Sequence, residues 1–154
     1  MAKIINANNL TKIYGEKETS VTALDDINIE FRENEFTAIM GPSGSGKSTL
    51  LHCLAGLDRP TSGKIFLKGN DIATLNDKEL TKIRRDSFGF IFQAFNLIPT
   101  LTAEENITLP ASIAGRKPDM DWVKEVVETV DIADRLSHRP NELSGGQQQR
   151  VAAA

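Results

Sequence analysis

Hydrophobic and polar positions alternate along much of the first part of the chain in the manner of β-strands. The clearest case is residues 27–32, where apolar and polar side chains follow each other with the period of two that marks a half-buried strand. A second pattern is the mostly apolar run at residues 36–40, which ends at a glycine and predicts a strand buried on both faces. In all, these patterns predict or favour strands at residues 4–10, 27–32, 36–40, 63–69 and 88–92.

Helical periodicity dominates the last third of the chain. In residues 119–130 the apolar side chains recur at helical spacing, so they share one face that we expect to pack into a core: Trp122, Val123, Val126, Val127 and Val130. Helices are also predicted at residues 47–56, 77–85 and 102–107, and from Ser144 onward. The change near Gln93 predicts an α/β core over about residues 1–93 and a helical subdomain over about residues 94–154.

Composition narrows the choice of compartment and partner. The chain has 154 residues and a net charge of −3, which gives no reason to expect a nucleic-acid partner. Its single cysteine, Cys53, excludes an intrachain disulfide and lies in an apolar run typical of an inert core residue. No stretch approaches the roughly 20 apolar residues that cross a bilayer, and Met1–Leu10 lacks the pattern of a signal peptide. We therefore expect a cytosolic chain that contacts membranes only through a partner.

A glycine-rich loop at residues 41–48 carries the strongest chemical signal. It matches G-x-x-x-x-G-K-[ST], follows an apolar run and opens a helix, as a phosphate-binding loop does. Glycines let the backbone curl so that N–H groups face phosphate oxygens, and the helix start adds its positive dipole end. Lys47 is expected to neutralise β- and γ-phosphates, and the Ser48 hydroxyl to bind Mg²⁺. The predicted nucleotide-binding residues here are Gly41, Pro42, Ser43, Gly44, Ser45, Gly46, Lys47, Ser48 and Thr49.

A second glycine-rich helix start lies far along the chain, at residues 143–147. The loop alone fits a kinase, a GTPase, a helicase-type motor or a flexible turn, so this second segment decides among them. Ser144, Gly145 and Gly146 offer N–H groups, a hydroxyl and a dipole end to an anion, although an ordinary helix cap is the simpler alternative. A single chain seldom needs two such sites for one nucleotide, but two copies of the chain could share them.

Together these motifs resemble the ATPases of ABC transporters, over nearly the whole chain. Residues 143–147, Leu-Ser-Gly-Gly-Gln, match the family's signature motif, and residues 148–152 continue in the family's manner. The resemblance implies a P-loop NTPase core of the α/β class, with an N-terminal antiparallel β part and a helical subdomain. Residues 1–154 would form a partial ABC ATPase domain, truncated before the Walker B strand.

The family pattern also assigns roles to individual residues. Tyr14 lies where the family's adenine-stacking aromatic is found, and Gln93 matches the glutamine that approaches Mg²⁺ and the attacking water. In the family two domains pair head to tail, and each ATP lies between one phosphate loop and the opposite signature. The resemblance therefore implies ATP and Mg²⁺ as cofactors, with the opposite subunit's ATP contacted by Leu143, Ser144, Gly145, Gly146 and Gln147.

Narrower similarities favour one part of the family. Residues 22–27, 56–63 and 92–99 look like those of macrolide-export and lipoprotein-release ATPases. This resemblance implies a motor subunit that works with a transmembrane permease or a fused membrane domain, on the cytoplasmic face of the membrane.

The resemblance further implies that the family's catalytic Asp, Glu and switch histidine lie beyond Ala154. We therefore expect the isolated chain to be poorly stable and to hydrolyse ATP negligibly, and a fragment of a longer gene product is favoured over a natural truncation. Two alternatives stay open: a soluble ABC ATPase acting on ribosomes or DNA, and an interaction module without turnover.

Overall fold

A computed structural model describes residues 2–154. These fall into two compact units, residues 2–88 and Gly89–Ala154. The first contains the strands and two helices, and the second contains three helices with short 3₁₀ turns. The structure thus has the antiparallel sheet and the helical part that the sequence predicts for an ABC-type ATPase fold.

An antiparallel sheet of four strands forms the first unit: β1 at Lys3–Tyr14, β2 at Val21–Arg32, β3 at Ser62–Leu67 and β4 at Asn70–Asp71. Their spatial order is β2-β1-β3-β4. The two long strands are paired over most of their length, because the short 3₁₀ turn Lys17–Thr19 lets the chain reverse between them.

Two helices accompany this sheet: α1 at Lys47–Leu54 and α2 at Asp77–Ser87. Helix α2 begins at a capping box, in which Asn76 and Glu79 each accept a hydrogen bond from the other's backbone N–H. The buried side chains of strands and helices meet in one core: Ala7, Leu10, Leu24, Leu50, Cys53, Leu54, Ile65, Leu67, Ile72 and Leu80.

Two strand predictions are wrong. Residues 36–40 form no strand, and Phe36 and Met40 are 99% and 86% exposed. A buried strand needs neighbours that pair with its backbone groups, and no strand among residues 2–154 pairs with this run. Residues 88–92 also form no strand; Phe90 and Phe92 instead stack, with ring centroids 5.7 Å apart. The apolar and aromatic character of these two runs favours burial or ring contact. A strand also needs a neighbouring strand to pair with, which the composition of a run does not provide.

The second unit contains α3 at Ala103–Ile113, α4 at Met120–Thr129 and α5 at Gly145–Ala153. Its core consists of Ala103, Val127, Ile132, Leu143 and Val151. Within the predicted stripe of α4, Val123 and Val130 pack against this core, as expected. Trp122 does not, because it is 60% exposed, so the prediction was wrong for that residue. Across residues 2–154, no helix combines the length and apolar character needed to span a membrane.

Candidate functional site

The glycine-rich loop before α1 is organised around the Lys47 ammonium. This group donates hydrogen bonds to the carbonyl oxygens of Gly41 and Pro42, at 2.9 and 2.6 Å, and lies 3.3 Å from the Ser45 hydroxyl oxygen. The loop thus wraps around a single positive charge. The first five residues of the loop are exposed: Gly41, Pro42, Ser43, Gly44 and Ser45.

Gly46 lets the start of α1 lie close to strand β2. Its φ of +85° lies in the left-handed region that favours glycine. A Cβ at this position would lie 2.4 Å from the carbonyl oxygen of Ala23 in β2 and 3.2 Å from the Leu24 side chain. Only a residue without a side chain therefore allows the start of α1 to approach β2 this closely.

The start of α1 is open to an anion. Its N-cap residue, Gly46, has no side chain to cap the helix, so no side chain accepts from the first N–H groups. Those groups belong to Lys47, Ser48 and Thr49, and the first turn contains no acidic residue. The helix dipole and the lysine charge both favour a bound phosphate here. The arrangement fits a polyphosphate, with the exposed Ser48 hydroxyl beside it.

Tyr14, at the end of β1, is held by two neighbours. Its hydroxyl donates to Asp58 Oδ2 at 2.6 Å, and the Lys12 ammonium lies over the ring, 4.7 Å from its centroid. The hydrogen bond to Asp58 is the main reason that the pKa of Tyr14 lies above its ordinary value, whereas a smaller contribution from the Thr49 hydroxyl acts the other way. Tyr14 is 41% exposed, and through Asp58 it is linked to the segment that follows α1.

In the second unit the start of α5 is built differently. The Ser144 hydroxyl accepts from the Gln147 N–H at 3.3 Å, and the Gln147 amide oxygen accepts from the Ser144 N–H at 2.8 Å. This reciprocal capping box confirms that a helix starts at Ser144. The N–H groups of Gly145 and Gly146, and the hydroxyl proton of Ser144, are not used by the box. Leu143 is buried in the core of the unit and anchors the motif.

One residue of this segment escaped the sequence analysis. The Gln148 side-chain amide donates to the carbonyl oxygens of Pro140 and Leu143, at 2.9 and 3.1 Å. It thereby ties the chain before the signature motif to the helix that follows it. The sequence signal was only a second glutamine in a run of three, which does not reveal these acceptors.

Lys12 and Asp58 were also missed. Lys12 shares a strand face with Tyr14, since the two are two residues apart, and this period could have indicated a contact. Asp58 is distant in sequence from both, and no local pattern indicated its position. Both residues lie in the first unit with the glycine-rich loop.

Gln93 lies in the second unit at an exposed turn. The N–H of Phe95 donates to the carbonyl oxygen of Phe92 at 3.0 Å and closes the turn, which places Gln93 and Ala94 at its centre. The structure thus groups Tyr14 with the loop in one unit, and it places Gln93 and the signature motif in the other.

Cys53 takes no part in this chemistry. It is fully buried in the first core, and burial, with a smaller contribution from Asp58, raises the pKa of its thiol to about 11. The predicted core position of Cys53 is thus confirmed, and the raised pKa favours the protonated thiol at neutral pH.

Comparison with known families identifies the arrangement. A family model described as ABC transporter matches residues 24–154, which include both the glycine-rich loop and the signature motif. The chain belongs to the ABC transporter family.

Individual relatives within the ABC family agree. The chain is 46% identical to the lipoprotein-releasing system ATP-binding protein LolD of Geobacter metallireducens, over 100% of this chain and 69% of that protein. It is 45% identical to the macrolide export ATP-binding/permease protein MacB of Marinobacter nauticus, over 98% of this chain but only 24% of that protein.

A solved structure shows the same fold. It is the dimeric post-hydrolysis state of the ATP-binding cassette MJ0796, described as bound to ADP and Pi. The TM-score is 0.87 at 45% identity, and the match covers 96% of this chain and 66% of that one. MJ0796 is a protein of Methanocaldococcus jannaschii. The chain thus spans about two thirds of the cassette's length.

Proposed function

We propose that this protein binds ATP at residues 41–48 and serves as the motor subunit of an ABC transporter or of a mechanically coupled membrane complex. The observation that carries the proposal is the loop itself. It gathers around the Lys47 ammonium and leads into a helix start that no side chain caps. Such a site favours the polyphosphate of a nucleotide. Membership of the ABC transporter family supports ATP as that nucleotide.

Mg²⁺ is proposed to enter with the nucleotide. The Ser48 hydroxyl lies in the first turn of α1, and Gln93 offers an exposed amide oxygen; both are the hard oxygen ligands that Mg²⁺ prefers. No group of three or more His, Cys, Asp or Glu side chains within residues 2–154 could hold a metal ion. A metal here would therefore depend on phosphate oxygens as well. When bound, Mg²⁺ would neutralise part of the charge on the phosphates. Ser48 would orient the metal ion, and the Lys47 ammonium would neutralise the remaining phosphate charge.

The nucleotide base and a second subunit complete the proposal. We assign the base to the exposed Tyr14, which Asp58 links to helix α1. We assign Leu143, Ser144, Gly145, Gly146 and Gln147 to the ATP of an opposite subunit in a head-to-tail dimer. The similarity to a dimeric ATP-binding cassette supports this arrangement.

We further propose that a transmembrane permease or a fused membrane domain holds the protein on the cytoplasmic face of the membrane. Relatives of the export type and of the lipoprotein-release type match at nearly the same identity, 45% and 46%. The proposal therefore covers both types. For these 154 residues by themselves, we propose nucleotide binding with negligible turnover.

The direct test is the affinity for Mg-ATP, measured by isothermal titration calorimetry on the chain and on Lys47→Ala. Loss of a charge-assisted contact to phosphate is expected to weaken binding roughly 100-fold. Lys82→Ala is the matched control, because it removes an exposed lysine of α2 outside the loop. Equal affinity in the chain and in Lys47→Ala would refute the site, and clear Lys47-dependent hydrolysis would refute the proposed lack of turnover.

A further inference from the structure

Three side chains at the end of β1 and after α1 form one bonded cluster. The Asp58 carboxylate accepts from the Tyr14 hydroxyl at 2.6 Å through one oxygen and from the Lys12 ammonium at 2.7 Å through the other. Lys12 also donates to the carbonyl oxygen of Arg59 at 2.8 Å. Both oxygens of the Asp58 carboxylate therefore accept hydrogen bonds. Lys12 bonds to the side chain of Asp58 and to the backbone of Arg59, the next residue.

The cluster is anchored to the phosphate-loop helix. The N–H groups of Leu57 and Asp58 both donate to the carbonyl oxygen of His52 in α1, at 2.8 and 3.2 Å. Asp58 thus extends directly from the end of the helix whose other end faces the loop. A ring bonded to Asp58 is consequently fixed relative to the start of α1.

The two faces of the Tyr14 ring are not equivalent. The Lys12 ammonium lies over one face at 4.7 Å from the centroid, which is cation–π distance. The hydrogen bond to Asp58 holds the hydroxyl end of the ring, so the side chain cannot swing away without breaking it. Because Lys12 lies over one face and Tyr14 is 41% exposed, the opposite face is the one left for a planar ligand to stack on.

Charge keeps the cluster intact at neutral pH. Burial acts to raise the pKa of Asp58 and is the largest single influence, but hydrogen bonds from Lys12 and Tyr14 outweigh it, so the pKa lies below its ordinary value. The carboxylate is therefore ionised and accepts from both partners. The bond to Asp58 raises the pKa of Tyr14, so the hydroxyl keeps the proton that it donates.

We infer that Lys12 and Asp58 are positioning residues for nucleotide-base recognition: they hold the Tyr14 ring with one face covered, so that a purine base stacks on the other face. This inference rests on the proposed function, because it needs a nucleotide at the loop. A ring that is already ordered loses little conformational entropy when the base binds. The cluster thereby lowers the entropic cost of binding.

The test compares a ligand that has a base with one that has none. Affinities for Mg-ATP and for inorganic tripolyphosphate are measured on the full chain, on Asp58→Asn, on Lys12→Met and on Tyr14→Phe. We expect each variant to weaken ATP roughly three- to tenfold, the cost of ordering one freed side chain, and to leave tripolyphosphate unchanged. Asp121→Asn is the matched control, since it neutralises an exposed carboxylate in the second unit, away from the cluster.

A second readout follows the ring directly. The chain has one tyrosine, so its ionisation can be followed by ultraviolet absorbance. The pKa of Tyr14 is expected to lie above its ordinary value in the chain and to fall toward that value in Asp58→Asn. If Asp58 only stabilises the fold, Asp58→Asn would lower the affinity for Mg-ATP and for tripolyphosphate equally. This outcome would overturn the inference.

The outcomes separate this inference from the function on which it rests. Failure of Lys47→Ala to weaken either ligand would refute the phosphate site. A normal ATP affinity in Tyr14→Ala would refute the ring as the base platform. A lower ATP affinity in Tyr14→Ala, together with an unchanged ATP affinity in Asp58→Asn and Lys12→Met, would overturn the positioning role alone. Tyr14→Phe keeps the exposed ring and changes only its hydroxyl, so it retains the test if Asp58→Asn fails to fold.

Discussion

Helices α1 and α5 both begin in a glycine-rich segment, but their first turns differ in construction. The start of α1 has Gly46 at the N-cap, no capping side chain and the Lys47 ammonium held within the loop. The start of α5 has Ser144 at the N-cap and a capping box that Ser144 and Gln147 complete between them. One start has a cation and open N–H groups, whereas the other is neutral and partly satisfied by its own side chains.

The two starts should therefore differ in their ability to bind an anion without a second chain. An uncapped helix end with an adjacent lysine offers donors and charge together, so we assign it the tight phosphate site. A capped, neutral end keeps its shape without a ligand and offers only a hydroxyl proton and two glycine N–H groups. This start fits the role proposed for it, which is to complete a site whose phosphate charge is neutralised by another chain.

The largest expected difference comes from placing alanine in each start. Gly46→Ala puts a Cβ 2.4 Å from the Ala23 carbonyl oxygen at a φ of +85°. We expect the first unit to lose about 1–3 kcal/mol from overpacking, and ATP affinity to fall with the distorted loop. Gly146→Ala meets no atom within 4 Å and lies in α5, so we expect unchanged or higher stability, by up to about 1 kcal/mol.

Thermal unfolding and ATP titration of both alanine variants check this contrast. Retained stability and ATP affinity in Gly46→Ala would show that the close approach of α1 to β2 is not required. A large loss of stability in Gly146→Ala would show that the start of α5 is as tightly constrained as that of α1.

A smaller effect is expected from Gln148, which braces the signature segment. Gln148→Met keeps the length of the side chain but removes both donors, leaving the Pro140 and Leu143 carbonyl oxygens without them. We expect the second unit to lose about 1–3 kcal/mol, measured by urea denaturation. The control is Gln149→Met, because Gln149 is exposed. Equal stability of the two variants would show that Gln148 does not brace the segment.

Local patterns predicted the two helix starts well. Both the loop at residues 41–48 and the cap at Ser144 depend on backbone conformation and on residues within a few positions. Those residue types can be read directly from the sequence. Residues 36–40 show the opposite case: their apolar character predicted a buried strand, but pairing depends on a strand elsewhere in the chain. Asp58 likewise lies 46 residues from Lys12, and nothing in the local sequence indicated that it would hold Tyr14.

In the proposed dimer, each ATP joins the phosphate loop of one chain to the signature motif of another. The most direct test mixes Lys47→Ala chains with Gly146→Asp chains in Mg-ATP and measures mass by sedimentation. Gly146→Asp places a carboxylate where the motif should meet phosphate, so neither variant alone can form a complete site. We predict that each variant alone stays monomeric and that the mixture forms a heterodimer with one tightly bound ATP. A mixture that does not associate, or a Gly146→Asp chain that dimerises as readily as the unaltered one, would refute the shared ATP site.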